Sequence, residues 1–445
     1  MKSSSIPSYR RIWTISLPII LSLVAQNVIN VTDTAFLGRV GEVELGASAI
    51  AGLFYISLFM LGFGFGIGGQ ILIGRRNGER NYTEIGKITD NSLYFLMGMG
   101  LLLFLIIKLF SPAMLRPLIS SDAVYQASID FLQYRIYGIF FAFGNILLRA
   151  FYIGTTSTKV LTYNALIMAA TNVFLDYALI FGNFGFPEMG IKGAALASSI
   201  AEAISAIYFF AYTFKMVDLR KYNLFSFGRF DWAIVRKTLD ISIFVMLQYF
   251  LSLASWFVFF MIIEKMGERP LAISNIIRSA YLVLMIPVFA FGSTTNTLVS
   301  NVIGRGRTDQ VIPVIKKVAI MNFILIGSVV AISALIPNLL ISVYTSNPEL
   351  VQQTIPSFYV VMTSLLLFSF SNILFNGVSG TANTATALTI EFFTISVYLI
   401  AAYILAVVLK LETAYVWMSE YIYFLTLGLL AYIYLKSGNW RKKQV

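Results

Sequence analysis

The chain has 445 residues, of which 58% are hydrophobic and 12% charged, and its mean hydropathy is +0.80. Soluble domains carry roughly a quarter charged residues, so an ordinary water-soluble fold is excluded. With no Cys and no His, disulfides, thiolate metal sites, Cys- or His-based nucleophile pairs and imidazole relays are excluded too. Proton chemistry falls to carboxylates, lysines and tyrosines.

A membrane-crossing helix needs about 20 mostly apolar residues. Twelve such stretches are predicted, at residues 12–37, 46–73, 90–111, 124–152, 159–181, 191–214, 238–264, 271–301, 314–343, 352–378, 384–409 and 413–436. The first is too long, and with Gln26, Asn30 and Asp33 too polar, for a cleavable signal peptide. Its Ser22, Gln26, Asn30 and Asp33 follow helical spacing and share one face, which must look into protein or water. Pro18 in the first stretch and Pro287 in the eighth are expected to kink their helices. The glycine run Gly62, Gly64, Gly66, Gly68 and Gly69 suits close packing of the second stretch and lacks the strand–helix context of a nucleotide fingerprint.

The fifth stretch carries Asn172 and Asp176, four apart and on one face. Asp33 and Asp176 both lie four or five residues from the outer ends of helices running outward, so they sit at similar depth. Such a carboxylate pair reads either as two interfacial acids reaching water or as a shared site for a hard cation or a proton. Glu202 in the sixth stretch and Glu391 in the eleventh read either as substrate-facing carboxylates or as groups hydrogen-bonded between helices. Glu264 and Glu420, near the ends of their stretches, are expected at the interface.

The net charge of +11 is unevenly placed. Twenty-three basic residues fall on the side of the termini, eight fall on the other side, and Arg135 lies within the fourth stretch. That bias places both termini in the cytoplasm and makes the charge a topology signal, not a nucleic-acid surface.

The chain also repeats itself. Phe143-Gly144-Asn145-Ile146-Leu147 returns as Phe370-Ser371-Asn372-Ile373-Leu374, 227 positions later. Ile73-Gly74-Arg75 is matched by Ile303-Gly304-Arg305, and Gly41-Glu42 by Gly267-Glu268. The expected fold is therefore all-α, with twelve transmembrane helices in two parallel-repeat six-helix lobes, 1–220 and 221–445, around a central cavity. The acids break the repeat: positions 226 or 227 beyond Asp33 hold Phe259 or Phe260, and Tyr403 answers Asp176. Scaffold residues should recur in both copies, whereas a coupling site need exist only once.

On these residues the sequence resembles the multidrug and toxic compound extrusion (MATE) family over essentially its whole length. The most specific pieces are Asp33-Thr34 fifteen residues after Pro18, the Asn172/Asp176 pair, Gly193 to Ser198 opening the sixth stretch, and the Gly-Arg loops. The resemblance implies an ion- or proton-coupling site at Asp33, Asn172, Asp176 and Ser198, where Thr is the family's usual residue at the last position. Na⁺ at Asp33, Asn172 and Asp176, or H⁺, would be the coupling ion, with no other cofactor. Gln26, Asn30, Glu202 and Glu391, with Tyr137 matching a cavity tyrosine, would line the substrate cavity, and Pro18 would bend the first helix. Residues 247–255 and 368–376 lack the acids of another branch, so the sequence is similar to the branch named for a DNA-damage-inducible member.

The expected function is secondary antiport of amphipathic, often cationic, drug-like compounds by a monomer in the cytoplasmic (inner) membrane. A lipid-linked sugar flippase or polysaccharide exporter of the same wider superfamily is the alternative, with only Arg135 and Arg278 to hold a pyrophosphate. An intramembrane enzyme is not expected, because His, Cys and any metal-ligand cluster are lacking.

Overall fold

The computed structural model describes residues 6–442. Lys2, Lys443 and both chain ends, which entered the charge count, lie outside the described residues. Eleven helices are long and apolar enough to cross a membrane, and a bent pair supplies the twelfth. In chain order they are α1 (Tyr9–Val40), α2 (Glu42–Glu79), α3 (Tyr82–Leu115), α4 (Asp122–Gly154), α5 (Lys159–Phe181), α6 (Ile191–Met216) and α7 (Trp232–Glu264). Then follow α8 (Glu268–Leu284 and Ile286–Gly304), α9 (Thr308–Leu335), α10 (Pro348–Gly380), α11 (Thr384–Val408) and α12 (Thr413–Ser437). There is no strand among the described residues. The chain is a multi-pass, all-α membrane protein.

The two prolines act differently. α8 bends by 44° at the break before Pro287, which starts the second segment where its missing N–H is harmless. α1 runs unbroken through Pro18, whose carbonyl oxygen accepts a hydrogen bond from Thr162 Oγ1 at 3.4 Å. Two further irregularities matter below. α4 passes through a 3-10 turn at Ile136–Gly138, and α11 ends in a π-helix at Ile404–Val408.

The described residues divide into two compact units. The first unit is Leu17–Ser242; the second joins the residues up to Ser16 to those from Ile243 onward. Within the second unit, Trp13 stacks near Phe291 with ring centres 6.1 Å apart, and Ser16 Oγ donates to Thr294 Oγ1 at 2.9 Å. Within the first, Ser242 Oγ donates to the Phe65 carbonyl at 3.1 Å. These contacts explain why α1 and α7 each begin in one unit and end in the other.

Close packing in the first unit depends on the glycine run of α2. A Cβ on Gly62 would lie 2.3 Å from the Phe143 ring, and one on Gly66 would lie 2.4 Å from Ile146 Cγ2. α2 and α4 therefore approach more closely than any larger residue permits. The segment after α6 is tied to α3. Asp90 accepts from the backbone N–H groups of Phe225 and Ser226 at 2.9 Å and of Phe227 at 3.3 Å. Phe225 and Phe227 hold left-handed backbone, with φ 57° and 46°, and the carboxylate gathers the N–H groups that this geometry turns inward.

The second unit is built on an aromatic core. Phe259 stacks on Tyr398 with centres 5.5 Å apart and meets Trp417 edge-on at 5.0 Å. Trp417 is fully buried and donates its indole N–H to Ser274 Oγ at 3.0 Å. Such rings favour tilted and offset arrangements over face-to-face stacks, and their polar atoms need partners when buried.

Candidate functional site

α1 presents two different exposed faces. Leu21, Val24, Val28 and Val31 are exposed at spacings that put them on one apolar stripe suited to lipid. Gln26, Asn30 and Thr34 are exposed on another stripe, four apart in each case. Exposed amides at this depth cannot face hydrocarbon without loss of several kcal/mol, roughly, per unsatisfied group, so that stripe faces water or ligand. Asp33 lies beside it, half-buried.

The structure brings Asp33, Asn172, Asp176 and Ser198 together from α1, α5 and α6. Asn172 is 1% exposed and Asp176 is fully buried. With its amide assigned the orientation that satisfies both acids, Asn172 bridges them, Nδ2 donating to Asp33 Oδ1 at 3.0 Å and to Asp176 Oδ2 at 3.2 Å. Ser198 Oγ lies 3.3 Å from the amide oxygen and 3.4 Å from Asp33 Oδ2, and its single proton serves either. The two carboxyl groups are also within hydrogen-bonding reach of each other. Asp176 Oδ1 is buried and meets no N–H or O–H donor. Two carboxylates cannot share a hydrogen bond, but a carboxylate and a carboxylic acid can. One proton, or one small cation, completes this arrangement.

Glu202 does not join that cluster. It forms a two-pronged pair with Arg135, at 2.8 Å from Nη1 to Oε2 and 2.5 Å from Nη2 to Oε1. Both side chains are 13% exposed, and the guanidinium stacks 4.1 Å over the Tyr55 ring. The 3-10 turn makes room for the pair. A Cβ on Gly138 would lie 2.3 Å from Glu202 Oε2 and 2.5 Å from Arg135 Nη1. Ser199 Oγ lies 3.2 Å from the carbonyl oxygens of Tyr134 and Arg135. Tyr137 also lies outside the cluster, packed on α3 with Lys108 Nζ 4.3 Å above its ring and Phe104 5.4 Å away.

In the second unit Glu391 is buried, and Oε1 accepts from Tyr423 at 2.6 Å and Ser252 at 3.0 Å. Glu420 corrects an expectation. Its place near a helix end suggested the interface, yet it is 5% exposed and accepts from Tyr281 at 3.3 Å. The sequence carried no signal for this, since its partner lies 139 positions away. The Arg135–Glu202 pairing was equally hidden, although both residues stood out as charges inside predicted spans. Among the described residues no group of three or more acidic residues is arranged to hold a metal.

Eleven or twelve membrane-crossing helices, with acids and amides brought together inside the first unit, define a multi-pass membrane protein with an internal polar site. The family model described as MatE matches residues 18–178 and 243–404, one segment in each half, and the chain belongs to this family. Among curated proteins it is similar to "Probable multidrug resistance protein NorM" of Rhizobium meliloti (strain 1021), 26% identical over 282 residues and 63% of this chain. That match spans only 60% of the Rhizobium protein's length. "Probable multidrug resistance protein YoeA" of Bacillus subtilis (strain 168) is 23% identical over 377 residues, covering 84% of this chain and 81% of that protein. Among solved structures, the outward-facing conformation of a multidrug resistance MATE family transporter of the MOP superfamily superposes with a TM-score of 0.89. It is 16% identical, with 96% of this chain and 95% of that chain covered, and it shows a common fold.

Proposed function

We propose that this protein is a cation-coupled antiporter that exports amphipathic, often cationic, organic compounds across the cytoplasmic membrane. The reading rests on the Asp33–Asp176 contact bridged by Asn172. A carboxyl pair that is complete with one proton and self-repelling without it is a device for loading and releasing a cation. A proton or Na⁺ suits the same oxygens. Ser198 and Asn172 orient the pair, and the exposed amides of Gln26 and Asn30 offer polar contacts to substrate on the adjoining face of α1. The absence of acids in residues 247–255 and 368–376 supports membership of the DNA-damage-inducible branch. Both termini are cytoplasmic on the charge bias, and the functional unit is one chain.

The flippase reading is weakened by Arg135. A pyrophosphate would have to displace Glu202 from a two-pronged buried pair, which leaves that carboxylate unpaired. The deciding experiment is dye efflux from proteoliposomes under separately imposed pH and Na⁺ gradients, with the parent, Asp33→Asn and Asp176→Asn. Gradient-dependent efflux by the parent that both variants lose supports the reading. Parental efflux by both variants at matched protein levels would overturn it.

A further inference from the structure

Only eight basic residues fall on the side that the charge bias assigns to the outside, where Lys and Arg are under-represented. Three of them, Lys265, Arg269 and Lys410, line one cleft of about 850 Å³ in the second unit. Its walls come from the outer ends of α7 and α11 and the outer starts of α8, α10 and α12, so it opens at headgroup level.

Arg269 is held in place without being used up. Its Nε donates to Gln353 Oε1 at 2.6 Å, which fixes the plane of the guanidinium. Nη2 is buried and makes no hydrogen bond. It lies 3.4 Å from Glu349 Oε1, but that carboxylate is 74% exposed and screened by water. A buried donor without an acceptor costs roughly 1–3 kcal/mol, so an aqueous or ligand oxygen is called for there.

The opposite wall is irregular backbone. The π-helix Ile404–Val408 runs into Lys410, whose φ of 52° is left-handed in a residue with a Cβ. π-turns and such strained positions concentrate where a side chain must be aimed. Lys410 lines the same cleft as Lys265 and Arg269. Glu412 is the one acid among the lining residues, Glu349 pairs with Arg269 from beside the cleft, and Thr413 and Ser357 add hydroxyl-bearing side chains. Three basic residues with hydroxyl-bearing neighbours give the cleft the composition of a receptor for a tetrahedral oxyanion. The volume exceeds one such anion, and Val407 and Leu411 give part of the lining an apolar surface. A phosphodiester with glycerol and acyl chains attached matches that combination better than a free ion.

We propose that this cleft binds the phosphate group of a phospholipid headgroup in the outer leaflet. The test uses the full-length protein in a maltoside detergent, titrated by calorimetry with dihexanoyl phosphatidylglycerol and, separately, with inorganic phosphate. Saturable lipid binding is expected, tighter than phosphate binding and weakened about tenfold or more by Arg269→Gln and by Lys410→Gln. Lys410 is exposed, so its variant keeps the fold, which an unchanged elution profile verifies. Arg80→Gln, an exposed position on the opposite side, should leave binding as in the parent. Equal affinity for inorganic phosphate would overturn the lipid assignment in favour of the free anion. No saturable binding of either ligand, or binding that both cleft substitutions leave intact, would overturn the site.

Discussion

Asp33 is answered in the second copy by Phe259 or Phe260, 226 or 227 positions later, and the surroundings of Phe259 differ from those of Asp33 throughout. Around Asp33 the neighbours are an amide, a hydroxyl and a second carboxyl. Around Phe259 they are Tyr398, Phe260 and Trp417, in a core that excludes water. The second unit keeps buried acids too, but Glu391 and Glu420 each accept from hydroxyl donors, where Asp33 and Asp176 face one another. One helical plan thus supports two carboxyl groups bridged by an amide in the first unit and carboxyl groups that accept from tyrosine hydroxyls in the second. Asp176 is as buried as Glu391 and Glu420, and what sets it apart is the second carboxyl beside it.

The largest expected effect comes from removing that distinction. Asp33→Asn or Asp176→Asn is nearly isosteric, so folding and yield should stay near parental while gradient-driven efflux falls to background. Equilibrium drug binding, read by fluorescence titration, should survive and should lose its dependence on the driving ion, because coupling is reciprocal. Writing the acid into the wrong copy should be damaging in another way. Phe259→Asp places an unpaired carboxylate in a dry aromatic core, expected to cost about 3–5 kcal/mol, and no folded protein should be recovered by gel filtration. Normal recovery would mean that water reaches that core.

The Arg135–Glu202 pair separates position from charge. Arg135→Gln alone strands a buried carboxylate and should lower stability by about 3 kcal/mol, while the double variant with Glu202→Gln should regain most of the loss. Thermal unfolding in detergent reads this, and additive losses would show the pair to be screened by water. Tyr423→Phe removes one of two hydroxyl donors to Glu391 and should cost about 1–2 kcal/mol with efflux retained. Loss of efflux at normal stability would give the second unit a coupling role as well. The smallest change is Ser198→Thr, which keeps the hydroxyl near Asp33, and efflux near parental is expected.

The sequence was most informative where the membrane makes mistakes expensive. Apolar stretches of spanning length located the helices, and Pro287 marked the bend in α8. Asp33, Asn172 and Asp176 were conspicuous because polar groups at that depth need partners, and helical spacing placed Asn172 and Asp176 on one face. Partner choice was far less legible. Arg135 meets Glu202 across 67 positions, and Glu420 meets Tyr281 across 139. Spacing rules reach only a turn or two along one helix. The pair also depends on the 3-10 turn before Phe140, which no Pro announces. The repeat motif carries a similar lesson, since Phe143 is fully buried and Phe370, its counterpart at 227 positions, is 39% exposed. Identity of letters along a duplicated helix does not ensure identity of facing.

The placement of the two entry helices bears on how such a chain arose. The opening turns of α1 belong with the second unit, through Trp13 and Ser16, and those of α7 with the first, through Ser242. The exchange is reciprocal, as in a dimer whose subunits trade an identical segment. A six-helix ancestor would have met its partner with that trade already made, and fusion of the genes would have made it permanent. Neither half is then a freestanding module. A gene cut between α6 and α7 leaves each product holding a segment that packs in the other unit, so co-expressed halves should be recovered together or not at all.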